Sequence, residues 1–320
     1  MSAKILSTGS YIPPTKVSNN DLEIILDTND SWIKERTGIS SRHYEASSSV
    51  NMALNASKEA LKNIDKESID CVLVGTYTPD NLIPNVASSV REALGIKKNI
   101  PAFDINAACS GFIFTLHTAR AFLKASIYKR ILVIGVDFNS RTLDFSDRSS
   151  TILFGDGAGA LVLEKSDNLF DSIIHSASDT DLSLTLPSST DFHNPFIKRK
   201  QIDYPYFKMN GKEVFKFAVK AMRDSILEIL DKHKLTLDDV DYVVAHQANE
   251  RIIMSAAKML KADTSKFLMN IDRVGNTSSG SIPILLDEEN KKGTFKKGMK
   301  VIMVAFGGGL SYGSSLINWT

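Results

Sequence analysis

The chain has 320 residues, 43% of them apolar, and its 38 basic side chains almost cancel its 37 acidic ones. That length can bury a large core, as one big domain or two moderate ones, without covalent staples. A net charge of +1 directs no field at nucleic acid or an anionic membrane, and two cysteines are too few for a disulfide framework and suit a reducing cytosol.

The opening stretch, Met1 to Pro14, lacks the apolar centre of a signal peptide, and no run is apolar enough to span a bilayer. Residues 51–63 repeat apolar side chains at helical spacing. Cys71-Val72-Leu73-Val74 follows, apolar at every position, as are Ile131-Leu132-Val133-Ile134, Tyr242-Val243-Val244-Ala245 and Val301-Ile302-Met303-Val304. Strands apolar on both faces belong in a covered, mostly parallel sheet. A second amphipathic helix spans 212–233, so the pattern is α/β. The segment 171–211, with Pro187, Pro195, Pro205 and Lys198-Arg199-Lys200, has neither period and reads as a connector carrying some short strands.

The order of elements repeats. Helix, strand after Ile69-Asp70, helix, turn at 104–111, helix, strand 131–136 and a glycine-rich element are followed by helix, strand after Val240-Asp241, helix, turn at 271–280, helix, strand 301–305 and Gly307-Gly308-Gly309. This suggests two halves, 1–171 and 172–320, with Cys109 and Asn276 at matching spots.

Cys109 sits where a strand gives way to small residues and then to a helix running to about Lys124. A helix start offers unpaired N–H groups and a positive dipole end, which would lower a thiol pKa from about 8.5 toward neutrality. Such a sulfur can act as a nucleophile. Cys71, in mid-strand, reads as a small hydrophobe. His246 follows a buried strand, at the sheet edge where α/β enzymes place their sites. Asn276 lies in Gly275-Asn276-Thr277-Ser278, and would otherwise pass for a turn residue. Gly155-Asp156-Gly157-Ala158-Gly159 leads into a strand, whereas phosphate binding needs a helix start, so a dinucleotide loop is rejected.

Together these segments resemble the β-ketoacyl-acyl carrier protein synthase III family of thiolase-superfamily condensing enzymes, from Ile5 to Trp319. The resemblance is carried by Gly9-Ser10-Tyr11-Ile12-Pro13, Asp30-Ser31-Trp32-Ile33 through Arg36-Thr37-Gly38-Ile39, Ala107-Ala108-Cys109-Ser110-Gly111-Phe112, Phe154 to Ala160, His246-Gln247-Ala248-Asn249, Gly275 to Ser278 and Phe306-Gly307-Gly308-Gly309. It implies a thiolase-like duplicated five-layer αβαβα sandwich and a cytoplasmic homodimer. It implies no resident cofactor and no metal, coenzyme A entering only as the thioester substrate.

The resemblance further implies a Cys109, His246 and Asn276 site. Cys109 would take the acyl group from a short acyl-CoA, acetyl-CoA first, with backbone N–H groups of Cys109 and Gly308 as oxyanion donors. His246 and Asn276 would then stabilise the enolate formed by decarboxylation of malonyl-acyl carrier protein. Thr28, Trp32, Arg36 and Arg148 would hold the nucleotide of CoA, and Gly211, Phe215, Ala248 and Asn249 would line the pantetheine tunnel. Lys216, Arg251 and Lys258 would dock the acidic carrier protein, although Met259 stands where members often carry a lysine. The loop His43 to Ser49 is shorter than the usual pattern. The segment Thr78 to Val86, which in the family crosses to the partner's acyl pocket, carries Leu82-Ile83-Pro84, so the primer could differ from acetyl.

Other readings fit less well. A papain-like hydrolase would carry its cysteine near the N-terminus in a different context, a thiolase would need a second cysteine after Cys109, and elongating condensing enzymes use two histidines. A non-catalytic carrier-binding relative would be expected to lose the nucleophile. A related condensing enzyme or acyltransferase of a specialised pathway, using another primer or malonyl-CoA, would share the same residues.

Overall fold

The computed structural model describes residues 3–188, 195–196 and 204–320. Lys198, Arg199 and Lys200 lie outside the described residues. Two five-stranded sheets have the same strand order. The first runs Ala3–Tyr11, Gly157–Lys165, Arg130–Asp137, Cys71–Gly75, Ala102–Ile105; the second runs Phe170–Ser176, Ser311–Asn318, Lys300–Gly307, Tyr242–Ala245, Phe267–Leu268. In each sheet the last three strands are mutually parallel and the first two antiparallel. The parallel strands are the ones that read as apolar on both faces, because helices cover both sides.

Helices Ser49–Ala60 and Val86–Ala93 cover the outer face of the first sheet, and Gly211–Lys232 and Glu250–Met259 that of the second. Between the sheets lie Gly111–Lys124 and Ser281–Lys291, giving αβαβα layers. The central layer explains why Gly111–Lys124 is so apolar: Ile113, Leu116, Ala119 and Leu123 are fully buried in a core that takes side chains from both sheets. Removing one of them, as in Leu116→Ala, should cost about 2–5 kcal/mol. The glycines of Gly157–Gly159 serve this packing. A Cβ at Gly159 would lie 2.6 Å from Pro283, and one at Gly157 2.8 Å from Ile284 of the central helix.

The stretch read as a connector begins as core. Phe170–Ser176 is the outermost strand of the second sheet, the counterpart of Ala3–Tyr11. Its polar Asp171 is buried among cations, 2.9 Å from Lys232, with Arg120 as a further partner. Farther on, Leu184–Thr185 pairs with Lys208–Met209 as a small hairpin over the site.

Candidate active site

The strand Ala102–Ile105 ends at Asn106, whose Oδ1 accepts the Ala108 N–H at 3.2 Å. Ala108 takes a left-handed φ of 46°, a single 3₁₀ turn carries Cys109, and the helix begins at Gly111. The second half repeats this turn: Asn276 Oδ1 accepts the Ser278 N–H at 2.9 Å, Ser278 has φ 51°, a 3₁₀ turn carries Ser279, and the helix begins at Ser281. Asn276 therefore matches Asn106, and Cys109 matches Ser279. The expectation that Cys109 and Asn276 occupy matching spots is corrected by three residues, because the turn geometry, not the spacing from the preceding strand, defines the register.

The two turns differ in what covers the amide at their tip. Asp137, at the end of Arg130–Asp137, accepts the Ser279 N–H on Oδ2 at 3.0 Å. The equivalent strand end is Gly307, where a Cβ would stand 2.8 Å from the Cys109 nitrogen. With glycine there, the Cys109 amide has no oxygen acceptor among the described residues, and neither has that of Gly308. One copy of the turn is closed by a carboxylate and the other is left open for an anion.

Cys109, His246 and Asn276 line one cavity, open to solvent at one end, with mainly apolar walls that include Leu153, Phe154, Met209, Ile252 and Phe306. His246 follows Tyr242–Ala245, its N–H bonded to Val304 O at 2.8 Å and its Nδ1 2.7 Å from Ser281 Oγ. Phe306 meets the ring edge-on, at 5.3 Å between centroids. Burial drives the His246 pKa down to about 3, so the ring is neutral. Asn276 is pinned by backbone bonds on both sides, N–H to Leu153 O at 2.8 Å and C=O from Gly155 N–H at 2.9 Å. Because its Oδ1 already accepts from Ser278, its amide nitrogen is the side free to donate.

The expected lowering of the Cys109 thiol is reversed. Desolvation pushes it up to about 12 although Cys109 is only partly buried, with nearby Asp137 adding to the rise, while the Ser278 hydroxyl pulls the other way. Cys109 lies in the 3₁₀ turn two residues before the helix rather than in its first turn. Cys71 behaves as read, buried and raised to about 12 by desolvation.

The remaining predicted residues fall into three groups. Gly211, Phe215, Ala248 and Asn249 line the cavity with the triad. Asn249 also caps helix Glu250–Met259 through the Arg251 N–H and donates to Arg36 O at 3.1 Å. Trp32 is packed by two guanidiniums, Arg36 at 4.8 Å and Arg148 at 5.1 Å from the ring centre, and Thr28 has a buried hydroxyl without a partner among the described residues. Lys216 is paired with Glu213 at 2.9 Å, while Arg251 and Lys258 are exposed on one helix beside the half-exposed Met259. Gly308 borders a second cavity that joins the first at Cys109, Leu184 and Phe207 and is lined also by Tyr77. Leu82 and Ile83 are 82% and 90% exposed, and Leu82 borders a third, open cavity that shares Tyr77 and Leu186 with the second. Sequence reading missed Asp137, Ser281 and Tyr77, none of which has a local signature. Among the described residues no cluster of histidine, cysteine and carboxylate side chains could hold a metal, and no helix is long and apolar enough to cross a membrane.

Comparison with known proteins decides the family. Residues 103–182 match the 3-oxoacyl-acyl-carrier-protein synthase III family and residues 230–319 match its C-terminal family. The β-ketoacyl-acyl-carrier-protein synthase III of Clostridium acetobutylicum is 43% identical over 100% of this chain and 99% of its own length. The chain belongs to the β-ketoacyl-acyl carrier protein synthase III family. Among solved synthase III structures, that from Aquifex aeolicus VF5 superposes with a TM-score of 0.91 at 38% identity, covering 99% of this chain and 100% of that one. The priming β-ketosynthase of the R1128 polyketide pathway superposes with a TM-score of 0.92 at 32% identity, covering 99% of this chain and 96% of that one. The thiolase-like fold expected of a synthase III is therefore the fold of this chain, and its condensing-enzyme class follows from full-length kinship.

Proposed function

We propose that this synthase III makes the first carbon–carbon bond of fatty acid synthesis, joining a short acyl-CoA, acetyl-CoA as the primary candidate, to malonyl-acyl carrier protein. The observation that carries the reading is one cavity in which an uncovered oxyanion site, a cysteine and two oriented nitrogen side chains converge.

The Cys109 sulfur attacks the thioester carbonyl, and the negative oxygen is received by the amides of Cys109 and Gly308. The carbon–sulfur bond to CoA breaks, and the proton lost by the Cys109 thiol leaves with the CoA thiol. Malonyl-carrier protein then enters. Its carbon–carbon bond to the carboxylate breaks, carbon dioxide departs, and the electron pair moves onto the thioester oxygen, where His246 and Asn276 donate hydrogen bonds. The enolate carbon attacks acyl-Cys109, the carbon–sulfur bond breaks, and the Cys109 thiolate takes a proton from water as the β-ketoacyl product forms.

Around this centre, Trp32, Arg36, Arg148 and Thr28 suit an adenine nucleotide, the guanidiniums offering charge and the indole a stacking face. Gly211, Phe215, Ala248 and Asn249 suit the pantetheine arm. Arg251 and Lys258, exposed and without an ion pair among the described residues, suit an acidic carrier protein, and Lys216 joins them only by leaving Glu213. Exposed Leu82 and Ile83 suit burial against a second copy in a cytoplasmic homodimer. No cofactor beyond the CoA thioester enters this scheme.

The two half-reactions test the roles separately. His246→Ala and Asn276→Ala should still take an acetyl group from acetyl-CoA but lose about 100-fold or more in condensation, the scale of one oxyanion donor. Equal losses in both half-reactions would remove the division of labour.

A further inference from the structure

An enolate oxygen is stabilised only if the ring nitrogen facing it carries a proton, and a neutral imidazole has one N–H to place. The structure holds the means of placing it. Ser281, the first residue of the central helix Ser281–Lys291, is 1% exposed and puts its Oγ 2.7 Å from His246 Nδ1. The same oxygen receives the Gln247 N–H at 3.4 Å, so it already serves as an acceptor. Among the described residues, the one acceptor available to the Ser281 hydroxyl proton is His246 Nδ1. If Nδ1 carried the proton instead, the buried hydroxyl hydrogen would have no acceptor, which folding disfavours. The opposite nitrogen, Nε2, has no protein partner among the described residues, and His246 lines the cavity with Cys109 and Asn276. Ring rotation is resisted by Phe306 against its edge and by the hydrogen bond between Nδ1 and Ser281 Oγ.

We propose that Ser281 is a positioning residue that donates its hydroxyl proton to His246 Nδ1 and so fixes the Nε2–H tautomer, presenting a hydrogen-bond donor to the substrate. This parallels Asn276, whose amide is oriented by the Ser278 N–H. Both donors of the site are then set by hydrogen bonds from the same turn, and Ser281 acts through His246 without touching substrate. The use of that donor rests on the condensing reading above; the tautomer does not.

The test has two arms. In the full-length protein labelled with ¹⁵N-histidine, long-range ¹H–¹⁵N correlation should show His246 with a protonated Nε2 and a bare Nδ1, the resonance being identified by its loss in His246→Asn. Ser281→Ala should shift this signal toward the other tautomer and slow condensation about tenfold or more, within what an oxyanion donor supplies. Acylation of Cys109 should stay within about twofold of the parent, because its oxyanion lies on backbone amides. Ser281→Thr, which keeps the hydroxyl, should restore tautomer and condensation. A bare Nε2 in the parent spectrum would overturn the proposal, even if Ser281→Ala failed to fold. So would a Ser281→Ala protein that keeps the parent tautomer, or one that loses both half-reactions equally. If the tautomer is as stated but malonyl-carrier protein is never condensed, the assignment of Ser281 stands and the condensing reading falls.

Discussion

The open amide of Cys109 depends on a missing methyl group, and Gly307→Ala restores it. A Cβ at this position would lie 2.8 Å from Cys109 N, 2.9 Å from Ser110 N and 3.1 Å from Ala107 O. All three are backbone atoms of one tight turn, which cannot swing aside as a flexible side chain could. The methyl group would therefore fill the space into which the thioester oxygen must move, or displace the turn from it. Loss of one preorganised donor costs about 3–4 kcal/mol, or roughly 100- to 1000-fold in rate. The effect should fall on acylation, read as the single-turnover rate of CoA release from acetyl-CoA. Circular dichroism and thermal unfolding of the same sample would show whether the fold persists. A folded Gly307→Ala protein that acylates within a few-fold of the parent would refute the argument that this glycine keeps the amide open.

Other consequences can be checked as directly. Tyr77 lines the second cavity beside Cys109 and is held by its hydroxyl on Asn139 Oδ1 at 2.6 Å. Tyr77→Ala should move primer preference toward longer acyl-CoAs, by about 3- to 4-fold in kcat/KM per added methylene at about 0.8 kcal/mol each; an unchanged ranking would place the primer elsewhere. With the Cys109 thiol raised to about 12, its thiolate fraction grows tenfold per pH unit below that value. Alkylation by iodoacetamide should accordingly rise log-linearly from pH 6 to 9, and a plateau near neutrality would mean that the helix end wins over burial. His246 has a folded pKa near 3 against an ordinary 6.5, so below about 6.5 the unfolded chain takes a proton that the folded one refuses. Stability contributed by this group is intact above that pH and falls by about 1.4 kcal/mol per unit below it. In urea titrations, the advantage of the parent over His246→Asn should shrink by about 2 kcal/mol between pH 7 and 5; a constant difference would contradict a buried neutral ring.

The sequence made the layered α/β fold legible because the parallel strands are apolar on both faces, and the repeat of elements pointed to its duplication. Phe170–Ser176 escaped because it is an edge strand whose polar residues are paired rather than solvated: Asp171 with Arg120, Lys232 and His233, and Ser172 with His117. The nucleophile and its two partners were readable from their motifs, but the setting of the thiol was not. A helix start argues for a low pKa and burial argues for a high one, and only the packed structure says how dry the sulfur is. Asp137 and Ser281 are likewise invisible in one dimension. Asp137 reads as the polar end of a strand, yet it lies fully buried, holding Ser279 and the turn Thr76–Thr78. Ser281 reads as an ordinary first residue of a helix, and its use follows from His246, 35 positions away in the chain.

The central claim is that Cys109 carries the acyl group between two substrates, and intact-mass analysis reads this without ambiguity. The protein would be incubated with acetyl-CoA and with longer or branched acyl-CoAs, beside Cys109→Ser, and then chased with malonyl-acyl carrier protein. The account predicts that the parent alone gains one acyl mass, and that the mass disappears as carbon dioxide and β-ketoacyl-carrier protein form. An acyl group that never appears on Cys109, or that leaves with no decarboxylation of malonate, would contradict it.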